Sequence, residues 1–236
     1  MPLTQGGFLL LIFVKLWLLK TVGSVPIDNE LILEPPLLPG GAFKTVCEQD
    51  VSDLLFVIDG STSIGEENFQ LLRNFLVVKD LPNGTHYAAV QFSGAPRTEF
   101  SFNTFADTPK DELLEHLGRL PYKRGSTRVG RALDYALHRE LVLERGDRPH
   151  VQNVVMVITD GRSVDEPWRA AETLRRRGSQ TVAIGVTDLV DDEQLLAVGG
   201  SEERVFKIDN FTRLDNDFRR QLLTKTACRQ VPEEMA

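Results

Sequence analysis

The chain of 236 residues has only two cysteines, no excess of positive charge and none of the short motifs that mark the commoner α/β enzymes. It has no Gly-x-Gly-x-x-Gly, no phosphate-loop lysine and no Gly-x-Ser-x-Gly elbow, which removes the ready dinucleotide, phosphate-loop and serine-hydrolase readings. His86, His116, His138 and His150 lie far apart with no cysteine partner, so no zinc or catalytic set is visible. A formal net charge of -7 leaves no electrostatic case for nucleic acid. No internal repeat, low-complexity tract or heptad seam is evident. With 42% hydrophobic and 26% charged residues, the composition is that of an ordinary globular chain with material for one sizeable core.

The apolar run from Phe8 to Leu19, interrupted only by Lys15, is shorter than the ~20 residues of a membrane span. Val22-Gly23-Ser24 follows with small residues, so residues 1–24 read as a signal peptide cleaved after Ser24. An uncleaved anchor is the alternative, because no Lys or Arg precedes the run. The mature chain is then expected to be secreted and extracellular, with no membrane span. Residues 25–46 contain Pro35, Pro36, Pro39 and the pair Gly40-Gly41, show neither period, and read as a linker. Cys47 and Cys228 bracket a domain over 47–228, ahead of a short tail at 229–236. In an exported chain that placement argues for a disulfide joining the domain's ends, with two free thiols as the alternative. Asn83-Gly84-Thr85 and Asn210-Phe211-Thr212 are glycosylation sequons in expected connections.

What is present is concentrated in Leu54-Leu55-Phe56-Val57-Ile58-Asp59-Gly60-Ser61-Thr62-Ser63, an apolar run that ends in a carboxylate and three hydroxyls. Continuous apolarity bounded by Gly suits a strand covered on both faces, as in a parallel sheet. Ligands of such sheets lie beyond the carboxyl ends of the strands. Val154-Val155-Met156-Val157-Ile158-Thr159-Asp160-Gly161 repeats the device. Asp59, Ser61, Ser63 and Asp160 are hard oxygen donors, a set suited to Mg²⁺.

Together with Thr127 in Gly125-Ser126-Thr127-Arg128-Val129-Gly130, these residues resemble the metal-ion-dependent adhesion site (MIDAS) of a von Willebrand factor type A domain. The resemblance covers about residues 52 to 227, and includes the inserted domain of leukocyte integrin α-subunits and the type A domains of matrilins and collagens. It implies that Asp59, Ser61, Ser63, Thr127 and Asp160 hold Mg²⁺, or Mn²⁺ or Ca²⁺, directly or through water. A Glu or Asp of an extracellular protein ligand would complete the shell. The chain departs from the leukocyte integrin pattern in its cysteine pair, which would tether the closing helix that in integrins slides to switch affinity, so the resemblance does not carry regulation by that slide over to this chain.

The remaining chain alternates strand and helix, which predicts a doubly wound, mostly parallel α/β sheet with helices on both faces. Tyr87 to Phe92 and Thr98 to Phe102, joined by Gly94-Ala95-Pro96, read as a hairpin and hence one antiparallel edge strand. Helices are expected after a Ser63-x-x-Glu66 capping box, after a Thr108 cap with Pro109 at the first position, over 129–143, 167–177, 191–198 and 212–226. Arg175-Arg176-Arg177 reads as a solvated C-terminal helix turn, with an anionic-glycan patch as the alternative. The functional expectation is a non-enzymatic, monomeric adhesive or matrix module. A Mg²⁺-dependent hydrolase built on Asp59, a purely structural matrix domain, and a fragment of a longer integrin or collagen are the rivals.

Overall fold

The structure, a computed structural model, describes residues 43–46, 51–77, 84–227 and 229–232, with side chains over 51–77 and 84–222. The signal-peptide stretch, Cys47, Cys228 and Asn83 lie outside the described residues. In chain order the elements are β1 (Phe43–Val46), β2 (Ser52–Asp59), α1 (Gly65–Leu76), β3 (His86–Ser93), β4 (Ala95–Phe100), α2 (Lys110–Gly118), α3 (Val129–Tyr135), β5 (Gln152–Thr159), α4 (Trp168–Arg176), β6 (Gln180–Val186), α5 (Asp192–Gly199), β7 (Val205–Ile208), α6 (Asn216–Ala227) and β8 (Arg229–Pro232).

Six strands form one sheet in the order β4-β3-β2-β5-β6-β7. All neighbours are parallel except the edge pair β3 and β4. The expected α/β architecture with one antiparallel edge is therefore what the chain adopts. Strand alternation sends Phe56 and Ile58 into a core with α1, α2 and α6, and Leu55 and Val57 into a second core with α3, α4 and α5. β2 is the strand whose run is buried on both sides, which is why it shows no alternation in sequence.

Several local expectations differ from the observed structure. α1 starts at Gly65 without a side-chain cap, because the Ser63 hydroxyl turns to Asp160 instead of capping the helix. α2 starts at Lys110, and the Thr108 hydroxyl donates back to the Phe105 carbonyl rather than capping. The expected helix over 129–143 is α-helical only to Tyr135 and continues as a π-helical turn, Ala136–Glu140. β4 begins at Ala95 and includes Pro96, tolerable on an edge strand, and ends at Phe100. The closing helix starts at Asn216, after a 3₁₀ turn Phe211–Arg213. Phe43–Val46 and Arg229–Pro232, in the stretches read as linker and tail, pair as an antiparallel two-stranded ribbon.

Candidate metal centre

Asp59 is the last residue of β2, and the β2–β5 register Ile58↔Ile158 brings the Thr159-Asp160 step alongside it. The Asp59 carboxylate has no exposed surface. Its Oδ1 accepts from the Ser61 backbone N–H at 2.8 Å and its Oδ2 from the Thr159 hydroxyl at 2.6 Å. Burial pushes its pKa up from 3.8 to about 6, against those hydrogen bonds, and the nearby Asp160 charge adds to the rise. The chain then folds back so that Ser61 Oγ lies 2.9 Å from Ser63 Oγ, and Ser63 Oγ donates to Asp160 Oδ1 at 2.9 Å. Burial also raises the pKa of Asp160.

Thr127 is nearly buried, immediately ahead of α3. Its Oγ1 borders Gly161, where an added Cβ would lie 3.9 Å away. Its carbonyl accepts from Val164 N–H at 3.0 Å. Thus Asp59, Ser61, Ser63 and Asp160 are joined through a short hydrogen-bonded chain that includes Thr159, and Thr127 stands beside the Asp160-Gly161 turn.

Residues not singled out from sequence hold this arrangement. The Tyr122 hydroxyl donates to the Ser61 carbonyl at 2.7 Å and accepts from Gly65 N–H at 3.0 Å. Thr62 and Gly125 exchange two bonds, Thr62 N–H to the Gly125 carbonyl at 2.9 Å and Gly125 N–H to Thr62 Oγ1 at 3.0 Å. Gly125 has φ 144°, and a Cβ there would sit 2.2 Å from the Ser93 carbonyl oxygen, so only glycine fits. Asp165 accepts from Gly130 and Arg131 N–H, both at 2.9 Å, and Ser163 Oγ accepts from Val129 N–H at 2.9 Å. The loop after β5 therefore caps α3 and fixes Thr127 against Asp160. Gln91, fully buried in β3, donates to the Pro121 carbonyl at 2.8 Å while its Oε1 has no partner among the described residues. It was findable as the single polar residue in Ala88-Ala89-Val90-Gln91-Phe92. The capping by Asp165 had no local signal, since its partners are 35 and 34 residues away.

The donor chemistry fits a hard divalent cation. Two carboxylates converge with hydroxyl oxygens, and among the described residues neither Asp59 nor Asp160 forms an ion pair with a basic side chain. Two buried carboxylates with no counter-charge are costly, and a cation between them removes that cost. No group of three or more His, Cys, Asp or Glu converges among the described residues, as expected of a donor set dominated by hydroxyls.

The other singled-out residues serve elsewhere. Asn210 is exposed, and its Oδ1 accepts from Thr212 N–H at 3.0 Å. Arg175 is not a solvated residue: it donates to the carbonyls of Ala197 and Val198, at 3.1 and 2.8 Å, and so caps α5, with a third bond to Thr181 Oγ1 at 3.1 Å. Arg176 and Arg177 are exposed, Arg176 pairing with Glu172 one turn back.

The sequence pattern of the von Willebrand factor type A domain matches residues 53–221. The transmembrane cell adhesion receptor mua-3 of Caenorhabditis elegans is 34% identical over 194 residues, covering 78% of this chain and 5% of that protein. The collagen alpha-6(VI) chain of Homo sapiens is 36% identical over 178 residues, covering 72% of this chain and 8% of that protein. The chain thus spans a small part of the length of these relatives. Among solved structures, proximal thread matrix protein 1 from the mussel byssus, with zinc occupying its MIDAS motif, superposes with a TM-score of 0.68 at 26% identity, over 80% of this chain and 49% of that one.

Proposed function

The chain belongs to the von Willebrand factor type A domain family, and from that premise we propose that it is an extracellular, non-enzymatic adhesion or matrix module that binds a carboxylate of a protein ligand at a divalent cation. Asp59, Ser61, Ser63, Thr127 and Asp160 would hold the ion, with Mg²⁺ as the physiological occupant. The bound ion supplies a positive centre for the ligand's Glu or Asp. The observation that carries the reading is that two carboxylates, neither ion-paired among the described residues, stand at the carboxyl edge of β2 and β5, Asp160 bonded to Ser63 Oγ and Asp59 bonded by Ser61 N–H and the Thr159 hydroxyl, with Ser61 Oγ and Ser63 Oγ 2.9 Å apart between them. Two negative charges balance one divalent ion and the hydroxyls add none, so the site retains affinity for an external anion. The same neighbours speak against the hydrolytic rival. Asp59 is hydrogen-bonded by Ser61 N–H and Thr159 Oγ1, which hold its carboxylate in place, and among the described residues no lysine or histidine bonds to it to serve a nucleophilic step.

Cys47 and Cys228 are proposed to be bonded, which accords with an extracellular location. Asn83 and Asn210 are proposed glycan acceptors. Isothermal titration with Mg²⁺ tests the site. The wild-type protein is expected to bind one ion, and Asp160→Ala to lose at least tenfold in affinity while keeping its circular dichroism and melting transition. Unchanged Mg²⁺ binding by a folded Asp160→Ala protein would remove the assignment.

A further inference from the structure

The metal edge is electrostatically lopsided. Between Arg119 and Arg131 the sequence contains Arg119, Lys123, Arg124, Arg128 and Arg131 and not one acidic residue, in a chain of net charge -7. This stretch is the connection between α2 and α3 that carries Thr127, and its basic side chains are exposed. Gly125 is bonded twice to Thr62 of the metal loop, and a Cβ at Gly94 would come within 3.3 Å of Ser126 Oγ, so the stretch lies over the β3–β4 turn and borders the site. Arg124 is held at φ 60°, an uncommon backbone state for a non-glycine residue. Its guanidinium lies 5.4 Å from the Tyr122 ring and 4.0 Å from Glu66, a weak exposed pair. Lys123 and Arg128 form no ion pair among the described residues, and Arg119 pairs with Glu115 behind them.

The other flank differs. The loops after β5 and β6 are joined by the Thr187 hydroxyl, which donates to the Asp160 carbonyl at 3.1 Å. They expose Val164 at 65% and Leu189 at 67%, and Trp168 at 45% opens α4 beside them. Their charges are mixed: Arg162 pairs with Asp191 at 3.4 Å, and Asp188 and Glu166 are exposed. The strand order β3-β2-β5-β6 therefore sets the metal site between the basic loop and Leu189 in the loop after β6, while Val164, whose N–H donates to the Thr127 carbonyl at 3.0 Å, borders the basic stretch itself.

We infer that the ligand is an acidic protein segment, in which the metal-bound carboxylate is followed on one side by further carboxylates over Lys123, Arg124 and Arg128, and on the other by an apolar side chain against Leu189. The inference deepens, and rests on, the carboxylate-binding reading above. A basic flank beside a cation repels other cations and draws an acidic chain by charge complementarity, and an apolar flank favours a peptide over a glycan.

Fluorescein-labelled peptides test it by anisotropy in Mg²⁺: one with a single Glu among Gly and Ser, one with that Glu beside three Asp residues, and one with Leu added on the opposite side, each in both chain directions. The acidic peptide is expected to bind about tenfold tighter than the single-Glu peptide at low salt. The gain should shrink at high salt and vanish in the combined Lys123→Gln, Arg124→Gln, Arg128→Gln protein, whose Mg²⁺ affinity should not fall. The Leu peptide should gain a further few-fold, lost in Leu189→Ser. Binding of the single-Glu peptide with no gain for the acidic one overturns this inference alone. Binding by none of the peptides in Mg²⁺ overturns the carboxylate reading as well. Tighter binding of a heparin oligosaccharide than of the acidic peptide, unaffected by chelator, would assign the basic loop to sulfated glycan and overturn the inference.

Discussion

At the scale of single residues, the proposed metal ligand Asp59 would couple metal binding to a proton. Its pKa of about 6 in the metal-free fold stands above its ordinary 3.8, so the folded chain holds a proton there that the unfolded chain has released. The resulting stability is complete below pH 3.8 and is lost as pH rises through about 6. Asp160 is raised in the same direction. Chelated wild-type protein should therefore lose stability between pH 4 and 6, relative to Asp59→Asn, by about 2 kcal/mol, read from paired denaturant curves. A cation must displace the same proton, so Mg²⁺ affinity should rise by up to about tenfold per pH unit up to ~6 and then level off. Flat affinity across that window would show that Asp59 is ionised without metal.

At the scale of elements, the connections matter more than the strands they join. α3 has no cap of its own, and its first N–H groups are met by Ser163 and Asp165 from the loop after β5, so the position of Thr127 depends on that loop. α5 is finished in the same borrowed manner by Arg175 of α4. Arg175→Ala leaves the Ala197 and Val198 carbonyls without that donor, and should cost about 2 kcal/mol in chemical denaturation. Arg176→Ala, removing one exposed pair, should cost less than ~0.5 kcal/mol. Equal effects of the two would mean that the basic run acts only through its charge. The run Arg175-Arg176-Arg177 looks uniform in sequence, and only the α4–α5 packing separates one buried-side anchor from two solvated neighbours.

At the scale of the whole molecule, the ends of the domain meet. β1 and β8 pair with the register Phe43↔Pro232 to Val46↔Arg229, and the two cysteines, outside the described residues, are proposed to be bonded. Peptide mapping without reductant should recover the Cys47–Cys228 cross-link from the exported protein, and two free thiols would refute it. Such a bond would enclose a very long loop, so the Cys47→Ser, Cys228→Ser double variant should be less stable by ~2–5 kcal/mol. A covalent closure there also leaves little slack for a displacement of α6 by a helical turn of ~5 Å, so oxidised protein should show little affinity switching. Ligand titrations of oxidised and double-variant protein compare the two directly.

The sheet and its antiparallel edge were legible in the sequence, because strands buried on both faces must be continuously apolar, and the proposed donors stood out as carboxylates and hydroxyls ending such runs. The sequence also held the order of strand and helix, since each period is a local property of the chain. Which hydroxyl caps and which faces the site was fixed by packing between distant segments. Ser63 had equal local reason to do either, and Asp160, 97 residues away, settles it. The same holds for Gln91, Tyr122 and Asp165, whose partners are brought by the fold across 30 or more residues. Contacts of that span leave no period in the sequence, because the residues that make them are chosen by where the sheet order places them.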